Sequence, residues 1–318
     1  MFKKQYKILS FLFLLAFVAC ALFVLWGLNA NNIDYNLPRR LAKIIAFIIT
    51  GTGIGISTVV FQTVTQNRIL TPSVMGLDKL YMLIQTVLVF FLGSGQLAMM
   101  TRKFDYCLAI ALMSIFSLIL FKGIFSNGTR SITTVILVGI IFGSLFESLS
   151  TFMQVLIDPN EYLVIQDRIM ASFNKVNTSL LGISTLIVLL CSIYLFFCHR
   201  NLDVMNLGRD ISINLGINYE VKVTKFMLII SVMTAASTAL VGPVTFLGLI
   251  TANISRQMLA TYRHSFVMAG AAISSIFAIA IGQLVMERIF NFGATLSVVI
   301  NFVGGIYFIV LMLKEGKK

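Results

Sequence analysis

The sequence predicts an all-α polytopic membrane protein with about ten transmembrane helices, and three observations lead there. Of its 318 residues, 58% are hydrophobic and only 11% are charged, whereas a soluble chain carries about a quarter charged residues. Mean hydropathy is +0.95, which is more apolar surface than a water-soluble fold can cover. The apolar residues come in continuous runs near the ~20 residues that cross a ~30 Å hydrocarbon core at 1.5 Å rise. Because the runs are continuous and not alternating, an outer-membrane barrel is excluded.

Ten spans follow in order, near 8–29, 39–62, 76–94, 105–122, 131–157, 177–198, 222–241, 243–259, 264–286 and 296–313. The first follows Lys3, Lys4 and Lys7 and mimics a secretion signal, with "FVAC" at 17–20 resembling a loose lipoprotein box. Its apolar run continues past Cys20 to Leu28, so an uncleaved span is expected. The prolines mark boundaries, since proline suits a helix's first turn and disrupts its interior. Pro38 is expected to open the second span, Pro72 to lie in the turn after it, Pro159 to follow the fifth and Pro243 to open the eighth. Glycines spaced by four, Gly51 and Gly55, then Gly139 and Gly143, predict closely approaching helices. The whole chain, 1–318, reads as one transmembrane domain.

Charge sets the orientation. With both termini inside, inner segments hold 16 Lys and Arg and outer segments hold eight, the remainder of the 24. That bias places both termini in the cytoplasm, although Arg102 and Lys103 fall on the outer side. The net charge of +12 is thereby explained by residues flanking spans, and no basic stripe interleaved with aromatics suggests nucleic acid.

Two polar segments connect the spans. The inner one, 199–222, holds Leu207-Gly208 and Leu215-Gly216, which predict two short helical pieces, each closed by its glycine. The outer one, 157–177, offers Asp158 as a cap for a short helix at Pro159. Either could be an ordinary amphipathic connector.

Catalytic and metal chemistry is not written in the chain. There is no GxxxxGK[ST] phosphate loop, no HExxH and no GxSxG. His199 and His264 are the only histidines, and both are expected at the cytoplasmic boundary. Cys20, Cys107, Cys191 and Cys198 form no CxxC and read as small apolar fillers, and Cys198 beside His199 cannot supply a ligand set. The 15 methionines and 27 phenylalanines read as packing. Glu147 is the one acidic residue expected deep within a span. Such a group costs about 2.5–3.5 kcal/mol at mid-depth on insertion scales, so it should face protein or water. It either lines a pathway with Ser144, Ser148 and Thr151 or sits at a helix contact. No second carboxylate or histidine is expected at its depth to relay a proton. An ion-coupled secondary transporter would need such partners and often an internal repeat.

Three stretches together resemble FecCD-type permeases, the membrane subunits of type II ABC importers for ferric siderophores, haem and cobalamin. In 37–76, Leu37-Pro38-Arg39, Gln62, Asn67, Pro72 and Gly76 match, with Arg68 where the family has proline. The second stretch is "LGRDISINLGI" together with Gly242, Phe246, Gly248, Leu249 and Arg256, in which Ala252-Asn253 replaces the family's Pro-His. The third is "FNFGATLSVVINFVGGIYFIVLMLK", with Gly304, Gly305 and Phe308 in place and Gly305-Ile306 replacing a common Ala-Pro. The blocks occur in family order over nearly the whole chain. "LIDPNEY", "TANISR" and the ending resemble the branch serving catecholate siderophores such as petrobactin, enterobactin and anguibactin relatives.

The resemblance implies a cobalamin-importer-permease-like fold and a set of partners. These are a second FecCD-type permease or a second copy of this chain, two ABC ATPase subunits and an extracytoplasmic binding protein. It implies no cofactor on this chain: ATP and Mg sit on the ATPases, and a ferric siderophore whose iron is already satisfied is the cargo, with haem or cobalamin as alternatives. It implies ATPase coupling through Leu207, Gly208, Asp210, Leu215, Gly216, Asn253 and Arg256. It implies binding-protein docking by Arg39 and, across a small alignment gap, Arg288, while Asn36 replaces a further family arginine. For Arg39, Arg40 and Lys43, interfacial snorkelling is the alternative. The translocation pathway is implied at Glu147, Thr151, Gln154 and Asn301.

Overall fold

The computed structural model describes residues 3–26, 33–99, 101–125, 132–174, 176–291, 293 and 295–315, and within them the chain is built from thirteen α-helices with no strand. In chain order they are α1 (Lys3–Leu25), α2 (Ile33–Val64), α3 (Leu77–Met99), α4 (Arg102–Phe125), α5 (Ile132–Leu156), α6 (Pro159–Ile169) and α7 (Thr178–Phe197). Then come α8 (His199–Met205), α9 (Arg209–Asn214), α10 (Tyr219–Val241), α11 (Leu247–Leu259), α12 (His264–Arg288) and α13 (Leu296–Glu315). Each of the ten predicted spans carries one helix. Seven, namely α1, α2, α4, α5, α7, α10 and α12, are long and apolar enough to cross a membrane on length and composition alone. The protein is a multi-pass membrane protein. Arg130, Lys175, Lys317 and Lys318 of the charge count lie outside the described residues.

The core is centred on α2, which is buried almost continuously from Ala46 to Val64 and packs against α7, α10, α11 and α12. Its glycines permit this. A Cβ on Gly51 would lie 2.8 Å from the Ile276 backbone nitrogen on α12, and one on Gly55 would lie 2.7 Å from the Ala271 carbonyl. Without a hydrophobic driving force between helices in lipid, such backbone proximity supplies the packing energy.

Two ends of the bundle can be told apart. The starts of α1 and α12 meet through the Tyr6 and Phe266 rings, 5.1 Å apart, and α8 joins them where Asp203 accepts the His264 backbone N–H. At the opposite end, Arg40 donates to the Phe23, Val24 and Trp26 carbonyls, satisfying the orphan C-terminal carbonyls of α1. Asp158 caps α6 by accepting the Asn160 N–H at 2.9 Å, as its position before Pro159 predicts.

Three boundaries differ from expectation. Pro38 lies inside α2, which starts at Ile33; there the lost bond is the one to the Asp34 carbonyl, in an exposed first turn. Pro243 opens the eighth crossing but not its helix, because α11 begins at Leu247. Gly242 (φ +95°, ψ 167°) leaves helical space and the chain stays unwound to Phe246. Its 13 helical residues rise about 20 Å, short of the ~30 Å core, and the unwound residues 242–246 lead into them. The third crossing is also broken, by Gly93 (φ +71°) within α3.

Candidate functional site

The face of α5 turned away from the rest of the chain carries Ser144, Glu147, Ser148 and Thr151, all exposed and one or two turns apart. Glu147 lies nine residues, about 13 Å, from the nearer end of α5. It is ion-paired with Lys79 in the first turn of α3 at 2.5 Å, with both side chains about half exposed. Thr151 also faces out and donates to the Glu147 carbonyl at 2.8 Å. Gln154 does not share this face. Its amide turns inward to donate to Thr86 Oγ1 on α3 at 3.1 Å, and so locks α3 to α5. Asn301 sits half-buried on α13, its Oδ1 enclosed without a hydrogen-bond partner among the described residues.

Lys79 reaches Glu147 because α3 starts beside the middle of α5. The chain leaves α2 at Val64, turns back, and packs a 3-10 turn (Pro72–Met75) and Gly76 against Gly139 and Gly143. A Cβ on Gly76 would be 2.8 Å from the Gly143 Cα. The first turn of α3 therefore lies level with the middle of α5 and brings Asp78 with it. This corrects the expectation that Glu147 has no second carboxylate at similar depth. Asp78 is buried, and hydroxyls of Ser73 and Thr245 donate to its carboxylate, the latter at 3.4 Å. Thr245 belongs to the unwound stretch before α11. Two interrupted crossings thus meet at Asp78, beside a small cavity lined with hydroxyls of Ser57, Thr58, Ser73, Thr234 and Thr238. Discontinuous helices with polar groups at mid-depth are a transporter device, since irregular backbone is tolerated in a bilayer only where protein or a cavity covers it.

The 242–246 stretch is held at both ends. Ser172 N–H donates to the Val241 carbonyl at 2.8 Å, and a Cβ on Gly242 would meet Ala171 Cα at 2.7 Å. Further along, Phe246 packs into the notch left by Gly304 on α13 and lies 6.2 Å from the Phe308 ring. The family-matching residues Phe246, Gly304 and Phe308 form one contact between the start of α11 and α13, while Gly242 packs against Ala171 at the other end of the stretch.

At the α8–α9 end, the predicted helix-turn-helix is present. Gly208 (φ +105°) and Gly216 (φ +86°) end the two pieces in conformations that favour glycine, with open space around both. Leu207, Ile211, Ile213 and Leu215 are exposed, as is Asp210, and Arg209 pairs with Glu220 at 3.4 Å. Leu202 and Met205 anchor the segment from its buried side. Asn253 and Arg256 behave differently from the expectation that they face out at this end. Asn253 is 5% exposed and donates to the Arg68 and Leu249 carbonyls. Arg256 turns inward to Thr63 Oγ1 at 3.1 Å and the Val59 carbonyl at 3.3 Å. Both hold the end of α11 against α2 and the turn after it.

At the opposite end the basic residues separate. Arg39 is exposed and stacks 4.0 Å over the Tyr35 ring. Arg40 is committed to the α1 carbonyls, and Lys43 bonds Glu287 at 3.0 Å and Asn174 at 2.7 Å. Arg288 donates to the Trp26 carbonyl and lies over its ring. Nearby, Arg168 joins Asp105 at 2.8 Å and Gln85 at 3.0 Å, beside a cavity of about 430 Å³ among α3, α4, α6 and α10. This cavity lies away from the α5 stripe.

No group of three or more His, Cys, Asp or Glu able to hold a metal occurs among the described residues. The residues missed from sequence are Asp78, Lys79, Asp203 and His264. An aspartate and a lysine at the head of an apolar run, just after a proline turn, were the available signal for the first two.

The FecCD transport family profile matches residues 8–314. The chain is 48% identical to the petrobactin import system permease protein YclO of Bacillus subtilis, over 99% of both chains. It is 24% identical to YclN, also a petrobactin import system permease of that organism, over 92% of this chain and 90% of YclN. Among solved structures, a metal-chelate type ABC transporter in an inward-facing conformation superposes with a TM-score of 0.80 at 22% identity, covering 98% of this chain and 99% of that one. From the profile, the full-length likeness to YclO and the shared motifs, the chain belongs to the FecCD transport family.

Proposed function

We propose that this chain is the permease subunit of an ABC importer that carries a ferric siderophore, of the petrobactin type, into the cytoplasm. The observation that carries this reading is its end-to-end likeness to a petrobactin permease. The chain performs no catalysis. Two partner ATPases bind and hydrolyse ATP with Mg, a second and different permease completes the pathway, and an extracytoplasmic binding protein delivers the cargo. Both termini and the α8–α9 end face the cytoplasm.

The geometry supports a division of roles. The ATPases dock on the apolar surface of Leu207, Ile211 and Leu215, with Gly208, Asp210 and Gly216 shaping the turn. Asn253 and Arg256 support that face from inside. Arg39 is free to meet a carboxylate on the binding protein, in an exposed contact weak enough to release. Arg288 has the α1 terminus as its partner and contributes to docking by holding that surface. The exposed stripe of Glu147 and Thr151 faces the pathway, neutralised by Lys79 so that a bulky anionic complex meets no unpaired carboxylate. Gln154 and Asn301 set the packing behind it.

The test is iron uptake by cells lacking their own siderophore permeases and carrying this chain with its partner permease, ATPases and binding protein. Uptake from ferric petrobactin, abolished by an ATPase Walker lysine change, is the expected result. Uptake of haem or cobalamin, with none of any ferric siderophore, would reassign the cargo.

A further inference from the structure

We propose that Asp203, His264 and Thr63 form a positioning relay that ties the ATPase-facing segment rigidly to α2, α11 and α12. This rests on the reading of α8–α9 as the ATPase contact.

Asp203 lies on α8. Its Oδ1 accepts two bonds from one residue of another element, the His264 backbone N–H and His264 Nδ1, each at 2.7 Å. His264 is the first residue of α12, whose own N-cap position, Arg263, does not cap the helix with its side chain. α8 thus caps α12 in trans, placing a carboxylate at a helix N-terminus, where it is stabilised. The imidazole is 1% exposed, and its other nitrogen, Nε2, is 2.7 Å from Thr63 Oγ1 at the end of α2.

The proton order follows from the partners. The carboxylate only accepts, so Nδ1 carries a hydrogen; in the neutral ring Nε2 then accepts from the Thr63 hydroxyl. The Val59 carbonyl, 2.9 Å from Thr63 Oγ1, competes for that hydrogen. Arg256 on α11 donates to Thr63 Oγ1 at 3.1 Å and to Val59 at 3.3 Å. One hydroxyl therefore joins α2, α11 and α12, and the ring passes that junction to α8.

A second tie runs parallel. Gln66, held at φ +52°, donates to the Met205 carbonyl of α8 at 2.7 Å and to the Thr63 carbonyl at 2.8 Å. A histidine fixed at both nitrogens cannot turn with α8. A displacement of about an ångström stretches its 2.7 Å bonds beyond hydrogen-bonding range. The cheaper response is for the ends of α2 and α11 to follow. α11 leads directly to Phe246 and α13, and α2 to the turn that presents Asp78. The relay is thus placed to pass movement of the ATPase face to both interrupted crossings.

The test uses the full complex of permease pair and ATPases in proteoliposomes. The four native cysteines are replaced, and spin labels are placed at Asn214→Cys and Met258→Cys, both exposed positions. In the otherwise unaltered chain the label distance should be the same before and after trapping with ATP and vanadate. With Thr63→Val the distance should shift or broaden on trapping, and cargo moved per ATP should fall about two- to tenfold, the equivalent of one lost hydrogen bond. Thr63→Ser should restore both. If Thr63→Val does not assemble, His264→Asn keeps the Asp203 bond, breaks the Thr63 bond and carries the same expectation. A label distance that shifts in the unaltered chain overturns the relay. So does a Thr63→Val complex identical to it in distance and in cargo per ATP. Absence of ferric siderophore uptake by the unaltered complex would instead overturn the cargo assignment, with the label distances still deciding the relay.

Discussion

Gly242→Ala is the sharpest test of how the eighth crossing is built. Gly242 occupies φ +95°, ψ 167°, a region open almost only to glycine, and holding an alanine there costs about 1–3 kcal/mol. The added Cβ would also lie 2.7 Å from Ala171 Cα and 2.9 Å from its nitrogen. These are backbone atoms of the segment whose Ser172 N–H donates to the Val241 carbonyl, so the clash is not relieved by a rotamer change. Overpacking of this kind adds about 1–3 kcal/mol. The sum of about 2–6 kcal/mol corresponds to a fall in apparent melting temperature of roughly 5–15 °C, at a few degrees per kcal/mol for a chain of this size. The assay is thermal unfolding of purified permease followed by a thiol-reactive dye, since three of the four cysteines are partly buried and become reactive on unfolding. Gly182→Ala is the control, because nothing lies within 4 Å of its Cβ position and it sits inside α7. Equal melting temperatures for the two variants would refute the account of Gly242 as a required break.

Other perturbations separate the remaining roles. Lys79→Ala should slow uptake by baring the Glu147 carboxylate to an anionic cargo, and Lys79→Ala combined with Glu147→Gln should recover most of it; uptake unchanged in Lys79→Ala would contradict the pairing. Arg40→Gln should lower the melting temperature by several degrees through the uncapped carbonyls of α1. Arg39→Glu should leave it unchanged yet weaken association with the binding protein, most at low salt; association unaffected at every salt concentration would remove the docking role. Gly208→Val should still insert, since no atom crowds the site, but a β-branched residue at φ +105° strains the turn between α8 and α9, so uptake and cargo-stimulated ATP hydrolysis fall; normal uptake would remove 207–216 from coupling.

Most of the helices were legible because they are long apolar runs, and the boundary at Pro159 because Asp158 caps a helix there by local geometry. The α8–α9 turns were legible for the same reason, with Leu207-Gly208 and Leu215-Gly216 carrying their own termination signal. What the sequence hid depends on distant partners. Asp78 and Lys79 look like the polar edge of a span, and only the packing of Gly76 on Gly143 carries them inward. His264 looks like a boundary residue, but its two partners come from positions 63 and 203, brought together only by the bundle. Arg40 and Arg288 look like twin surface cations with Arg39, and the exposed ends of α1 claim both. Composition and periodicity specify which segments cross; they do not specify which polar side chains are spent on holding the crossings together.

The most direct measurement is ATP-driven accumulation of radiolabelled iron by proteoliposomes containing this chain, its partner permease, the ATPases and the binding protein. Concentrative uptake of iron presented as ferric petrobactin, dependent on ATP and on the binding protein, is the result this account predicts. Iron uptake that proceeds without ATP and follows an imposed ion gradient would contradict it.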